Sequence, residues 1–95
     1  MTQPQDSHEV PAAFFHEDSG ALRLWVAMPA GPPIGAILSR QVLHYRFGAR
    51  LDGSDALASY VSHRHEIDAA VVRRVGNGSI EPVMLRENDW PVVRA

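Results

Sequence analysis

The chain has 95 residues, 45% of them apolar, which bounds it at one domain with one modest core and excludes wholesale disorder. Nine cationic residues, all arginine, against eleven acidic ones leave a formal charge of −2, which argues against a polyanion as the main partner. Cysteine is missing from the composition, which excludes disulfides and thiolate metal sites.

The first ten residues carry Pro4, Asp6, His8 and Glu9 and lack the basic start and apolar run of a signal peptide. No apolar run approaches the roughly 20 residues of a membrane-spanning helix. The expectation is a cytoplasmic protein without membrane association, with a loose tail over 1–10 and a single domain over 11–95. Ala12 to Glu17, with Phe14 and Phe15, reads as a short strand, and Asp18-Ser19-Gly20 as a turn. Ala21 to Met28 then alternates, with Leu22, Leu24, Val26 and Met28 on one face and Ala21, Arg23, Trp25 and Ala27 on the other. That is the pattern of an antiparallel strand with one buried face. The prolines between Pro29 and Pro33 interrupt the ladder, and Ile34 to Leu38 resumes it, giving a three-strand meander.

Ser39 changes the period. It is placed to cap a short helix in which Leu43 and Phe47 face the core and which Gly48 ends. After a linker over 49–53, the run from Ser54 to Val75 reads as one long helix, capped by Asp52 or Ser54 and stopped at Gly76-Asn77-Gly78. Its apolar stripe holds Leu57, Tyr60, Val61, Ile67, Val71, Val72 and Val75, while Ser59, Ser62, Glu66, Arg73 and Arg74 lie opposite. Arg64 and Asp68 fall four residues apart inside the stripe. A helix of this length reaches about 33 Å at ~1.5 Å per residue, so one end is expected to overhang the sheet. Ser79 to Glu87 reads as a fourth strand with Val83 and Leu85 inward and Pro82 marking an edge. Trp90 is placed to fold back over the core.

The run Ile37-Leu38-Ser39, the run Leu43-His44-Tyr45-Arg46-Phe47-Gly48 and the run Tyr60 to Ile67 together resemble a family of small bacterial domains of unknown function, the family numbered fourteen eighty-eight. The resemblance extends over about Phe14 to Trp90 and is carried mainly by the Ser39–Ile67 block. It implies a cytoplasmic α+β domain, a small antiparallel sheet with helices on one face, and it implies no activity. This agrees with the residue-level reading: two layers in β-β-β-α-α-β order, with a short and a long helix packed on one sheet face.

No motif in the chain names a reaction. His63 and His65 are two apart and diverge on a helix, so they cannot share a metal, and no other histidine supplies an i, i+4 pair. No serine sits in Gly-x-Ser-x-Gly or Ser-x-x-Lys, and the glycine clusters lack the order of a phosphate loop. No catalytic residue, metal or cofactor is therefore expected. Arg64 and Asp68 read first as an intrahelical ion pair, whose loss would strand a charge on the buried side. Arg46, Arg50 and Arg64 could instead line an anion pocket for a small ligand or nucleic acid. The interspersed acids oppose a phosphate track, so nucleic acid is the weaker idea. Trp25 on the outer strand face and Met84 on an edge strand point to contact with another protein, or with a second copy. The expectation is a non-catalytic accessory or regulatory interaction module, with an arginine-lined anion or nucleic-acid binder as the alternative. The candidate binding residues are Trp25, Arg46, Arg50, Arg64 and Asp68.

Overall fold

In the computed structural model, which describes residues 9–90, three strands follow one another as a meander: β1 (Phe14–His16), β2 (Ala21–Val26) and β3 (Ile34–Ser39). Gly20 turns β1 into β2 at φ 67°, its N–H donating to the His16 carbonyl at 2.9 Å. β1 and β2 pair antiparallel with Phe15 opposite Leu22, and β2 and β3 pair antiparallel with Leu22 opposite Leu38 and Leu24 opposite Ala36. Strict alternation then sends Leu22, Leu24 and Val26 to one face and Arg23 and Trp25 to the other.

The chain passes from β3 into the first helix without a loop. The Ser39 hydroxyl accepts from the Val42 N–H at 3.1 Å, which caps α1 (Arg40–Phe47). Gly48, at φ 74°, closes α1, its N–H reaching the Leu43 and His44 carbonyls. Both caps are where the sequence places them. The run expected as one long helix is instead two, α2 (Ala56–Ser62) and α3 (Arg64–Gly76), broken at His63. His63 sits at φ −115° and ψ 22°, and its ring Nδ1 lies 3.0 Å from the Ser59 carbonyl, a side-chain bond that competes with the backbone ladder. The bend resolves the length mismatch that an overhang was expected to absorb. α2 packs on α1 and β1, while α3 crosses β2 and reaches the fourth strand, β4 (Val83–Met84).

The break also rotates the buried stripe. Ala56, Tyr60, Ile67, Ala70 and Val71 face the sheet, while Leu57, Val61 and Val72 are exposed. Alanines at the contact let the helices lie close to the strands, and close approach turns the bulkier neighbours outward. Neither Asp52 nor Ser54 caps the run. Asp55 starts α2 without a side-chain cap bond; its carboxylate takes the Arg50 N–H at 2.8 Å, and that of Asp52 takes the Ser54 N–H at 2.9 Å. Gly53 lies between them at φ +82°, pressed against the Phe15 ring where a Cβ would collide.

The fourth strand is shorter than expected and runs the other way. Only Val83 and Met84 pair, in parallel with Ala36 and Ile37 at the far edge, so the sheet is mixed, in the order β1-β2-β3-β4. The chain reaches β4 from the far end of α3, a crossover that delivers a parallel neighbour instead of a hairpin. Val83 and Leu85 do point inward, at 1% and 5% exposure. A short 3₁₀ turn, Glu87–Asp89, leads to Trp90. That indole folds back as expected, edge-on to Phe47 at 5.1 Å, its Nε1 donating to the Glu66 carbonyl at 3.2 Å. The core is one cluster between sheet and helices, centred on Leu22, Leu24, Leu38, Leu43, Ile67, Val71 and Val83. The architecture is a small two-layer α+β fold. Of the expected tail over 1–10, the first eight residues lie outside the described residues, as does Pro91.

Candidate functional site

Among the described residues all three α-helices pack against one face of the sheet, and no helix lies over the other. Cross-strand register lays a row over that face: Phe14 beside Arg23, Arg23 beside Ile37, Ile37 beside Met84. Phe14 and Met84 stand 43% and 50% exposed at the two ends of the row. The next row holds Trp25 beside Gly35. Trp25 leans on Phe14, with ring centroids 6.1 Å apart and planes 32° from parallel.

Gly35 makes a gap in this surface. A Cβ there would lie 2.9 Å from Glu81 Oε2 and 3.1 Å from Trp25 Nε1, so the two side chains close over bare backbone. The Gly35 N–H donates to Glu81 Oε2 at 2.7 Å, which ties the segment before β4 to the outer face. The result is a shallow hollow of about 240 Å³ lined by Arg23, Trp25, Gly35, Ile37, Glu81 and Pro82. The Arg23 side chain makes no ion pair with another described residue. Sequence pattern found Trp25 and Met84 here but missed Glu81. Glu81 lies outside any regular element, and nothing local links it to a glycine 46 residues earlier.

The expected arginine pocket does not assemble. The Arg46 Nε donates to the Glu87 carbonyl at 2.8 Å and pins the 3₁₀ turn to the end of α1. Arg50 stands 70% exposed with Asp52 at 3.9 Å. Arg64 lines two hollows, of about 260 and 540 Å³, and neither Arg46 nor Arg50 reaches them. Arg64 and Asp68 do pair, Nε to Oδ2 at 3.5 Å, but with side chains 58% and 26% exposed and not on the buried stripe. The bend at His63 turned them outward. Tyr60 supplies the buried end of this group, its hydroxyl donating to Asp68 Oδ1 at 2.8 Å, with the Arg64 guanidinium 6.0 Å from its ring centre. Burial, then the bond to Asp68 and its charge, push the Tyr60 hydroxyl well above the ordinary phenol value.

The strongest ion pair involves an arginine expected to face solvent. Arg74 Nη1 meets both Asp89 oxygens, at 2.8 and 3.0 Å, and also reaches the Met84 carbonyl, while its Nε donates to Ser79. Arg73 joins the same turn through the Asp89 carbonyl. The Asp89 side chain is 8% exposed. This is a structural clamp that holds β4 and the 3₁₀ turn on α3. Two histidines serve locally: His44 Nδ1 lies 2.7 Å from the Ala49 carbonyl, and His16 Nδ1 2.8 Å from the Ser19 hydroxyl. Among the described residues no three potential metal-ligating side chains lie together, and no helix is long and apolar enough to cross a membrane. No family model matches the sequence, and comparison with the curated proteins and with the solved structures finds no match.

Proposed function

We propose that this is a non-catalytic accessory or regulatory module of the bacterial cytoplasm, acting through protein contact at the uncovered sheet face, and a member of the family of unknown function it resembles. One observation carries the reading. Among the described residues the helices cover one face of the sheet, and Phe14, Trp25, Ile37 and Met84 share the other with no helix over them, Phe14 and Met84 exposed and Trp25 and Ile37 part-buried. Exposed aromatic and methionine side chains around a shallow hollow are the composition of an interface core. The test is affinity capture from a native lysate with wild type and Trp25→Ala, each checked for folding by circular dichroism. A protein retained by wild type and lost with the folded variant is the expected result. Capture unchanged by Trp25→Ala would overturn the reading.

A second reading, binding of an anionic small ligand or nucleic acid, keeps one supporting feature: the Arg64 guanidinium opens onto two hollows. Such a ligand is lost steeply as salt rises, whereas an apolar contact is not. Arg46, bonded to the Glu87 carbonyl, and Arg50 line neither hollow and lend it no support.

A further inference from the structure

The uncovered face carries its own complement, and we propose that its occupant is a second copy of this chain, packed face to face about a two-fold axis lying in the plane of contact. This rests on the face being a contact surface and names what it contacts. A two-fold contact uses one patch twice, so the patch must hold both halves of every interaction. Phe14 and Met84 are the protruding groups, 43% and 50% exposed at opposite ends of one row. The hollow over Gly35, walled by Trp25, is the receiving shape.

Charge repeats the pattern. Arg23 and Glu81 line that same hollow, one cation and one anion. An axis passing between them sets Arg23 of each copy against Glu81 of the other, twice over. Rim charges of this kind set orientation and register more than affinity. Strands of three, six, six and two residues, at ~3.3 Å per residue and ~4.8 Å between strands, make a footprint of roughly 270 Å². Stable interfaces bury about 800 Å² per partner, so this dimer is weak and depends on concentration.

The experiment uses the purified full chain, diluted from about 1 mM to about 10 μM, the span in which weak complexes dissociate. Sedimentation gives the mass, and the indole N–H resonances give the surface. The chain has two tryptophans, and Trp90, bonded to the Glu66 carbonyl, is the internal control. The expected result is a monomer–dimer transition in which the Trp25 resonance moves with dilution and the Trp90 resonance does not. Arg23→Glu alone and Glu81→Arg alone should stay monomeric at the highest concentration, and their equal mixture should regain the dimer. Phe14→Arg, at an exposed edge position, gives an independent loss of association should Glu81→Arg unfold. A monomer throughout with an unmoved Trp25 resonance overturns the second copy as occupant. So does association unaffected by Phe14→Arg and Arg23→Glu. Where either comes with Trp25-dependent capture of a different protein, the contact face stands and only its occupant is wrong. Without such capture, both readings fall.

Discussion

The two faces of the sheet are made by the same strands and differ in almost everything else. On the covered face Leu22, Leu24 and Leu38 are fully buried under α1, α2 and α3. On the uncovered face the alternate positions hold one cation, Arg23, two large apolar side chains, Trp25 and Ile37, and Gly35, around a shallow hollow that Glu81 also lines. The covered face is closed by bulk, whereas on the other a single carboxylate, that of Glu81, reaches one backbone N–H. An interior position is settled by volume and packing, whereas a surface left open has to remain soluble as well as adhesive. The mixed composition of Phe14, Arg23, Trp25 and Met84 meets both demands.

The contrast has measurable consequences. The largest is on the covered face: Leu24→Ala, at 0% exposure, should cost about 2–5 kcal/mol in chemical denaturation. A loss under about 1 kcal/mol would mean that the helix layer packs loosely there. Arg74→Ala is next. It strands an Asp89 that is 8% exposed, but with the arginine itself 26% exposed the loss should be about 2–3 kcal/mol, below that of a fully buried pair. Amide exchange in Val83–Met84 and the 3₁₀ turn should quicken with it, since the clamp holds that arm.

Tyr60 supplies a pH signature. Its folded-state proton is held more tightly than in the unfolded chain, so its contribution is fully present below the ordinary phenol value near 10 and fades above it. Through that window the unfolded chain binds fewer protons than the native one, and stability should fall by up to about 1.4 kcal/mol per pH unit. Tyr60→Phe should remove this component while leaving the slope at neutral pH unchanged. On the uncovered face Trp25→Ala, at a part-buried ring packed on Phe14 and over Gly35, should cost about 2 kcal/mol while abolishing association. Smallest is Arg64→Ala. Read inside the apolar stripe it would cost several kcal/mol, but at 58% exposure, with Asp68 still bonded by Tyr60, it should cost less than about 1 kcal/mol.

The legible parts of this fold are those specified within a few residues. The alternation of Ala21 to Val26, the Ser39 cap, the Gly48 stop and the inward Val83 and Leu85 each follow from one local rule and stand where the rule puts them. Periodicity reads α2 and α3 as one long helix because it treats apolar residues alike. It does not register that His63 can bond its own backbone, or that alanines decide how near a helix lies. The candidate site divides in the same way. Trp25 was visible as an outward residue on an alternating strand, while Glu81, Gly35 and the failure of Arg46, Arg50 and Arg64 to converge were not.

By itself, then, the sequence determined the class: an α+β fold, a meander followed by helices, with the buried side of each strand written in its period of two. The tertiary structure decided the direction of β4, the bend at His63, the outward turn of Arg64 and Asp68, and the clamp between Arg74 and Asp89. Each of these joins groups distant in sequence or balances a local bond against packing on the sheet. Such choices have their energy in the assembled fold, where burial and geometry are set by residues that no local window contains.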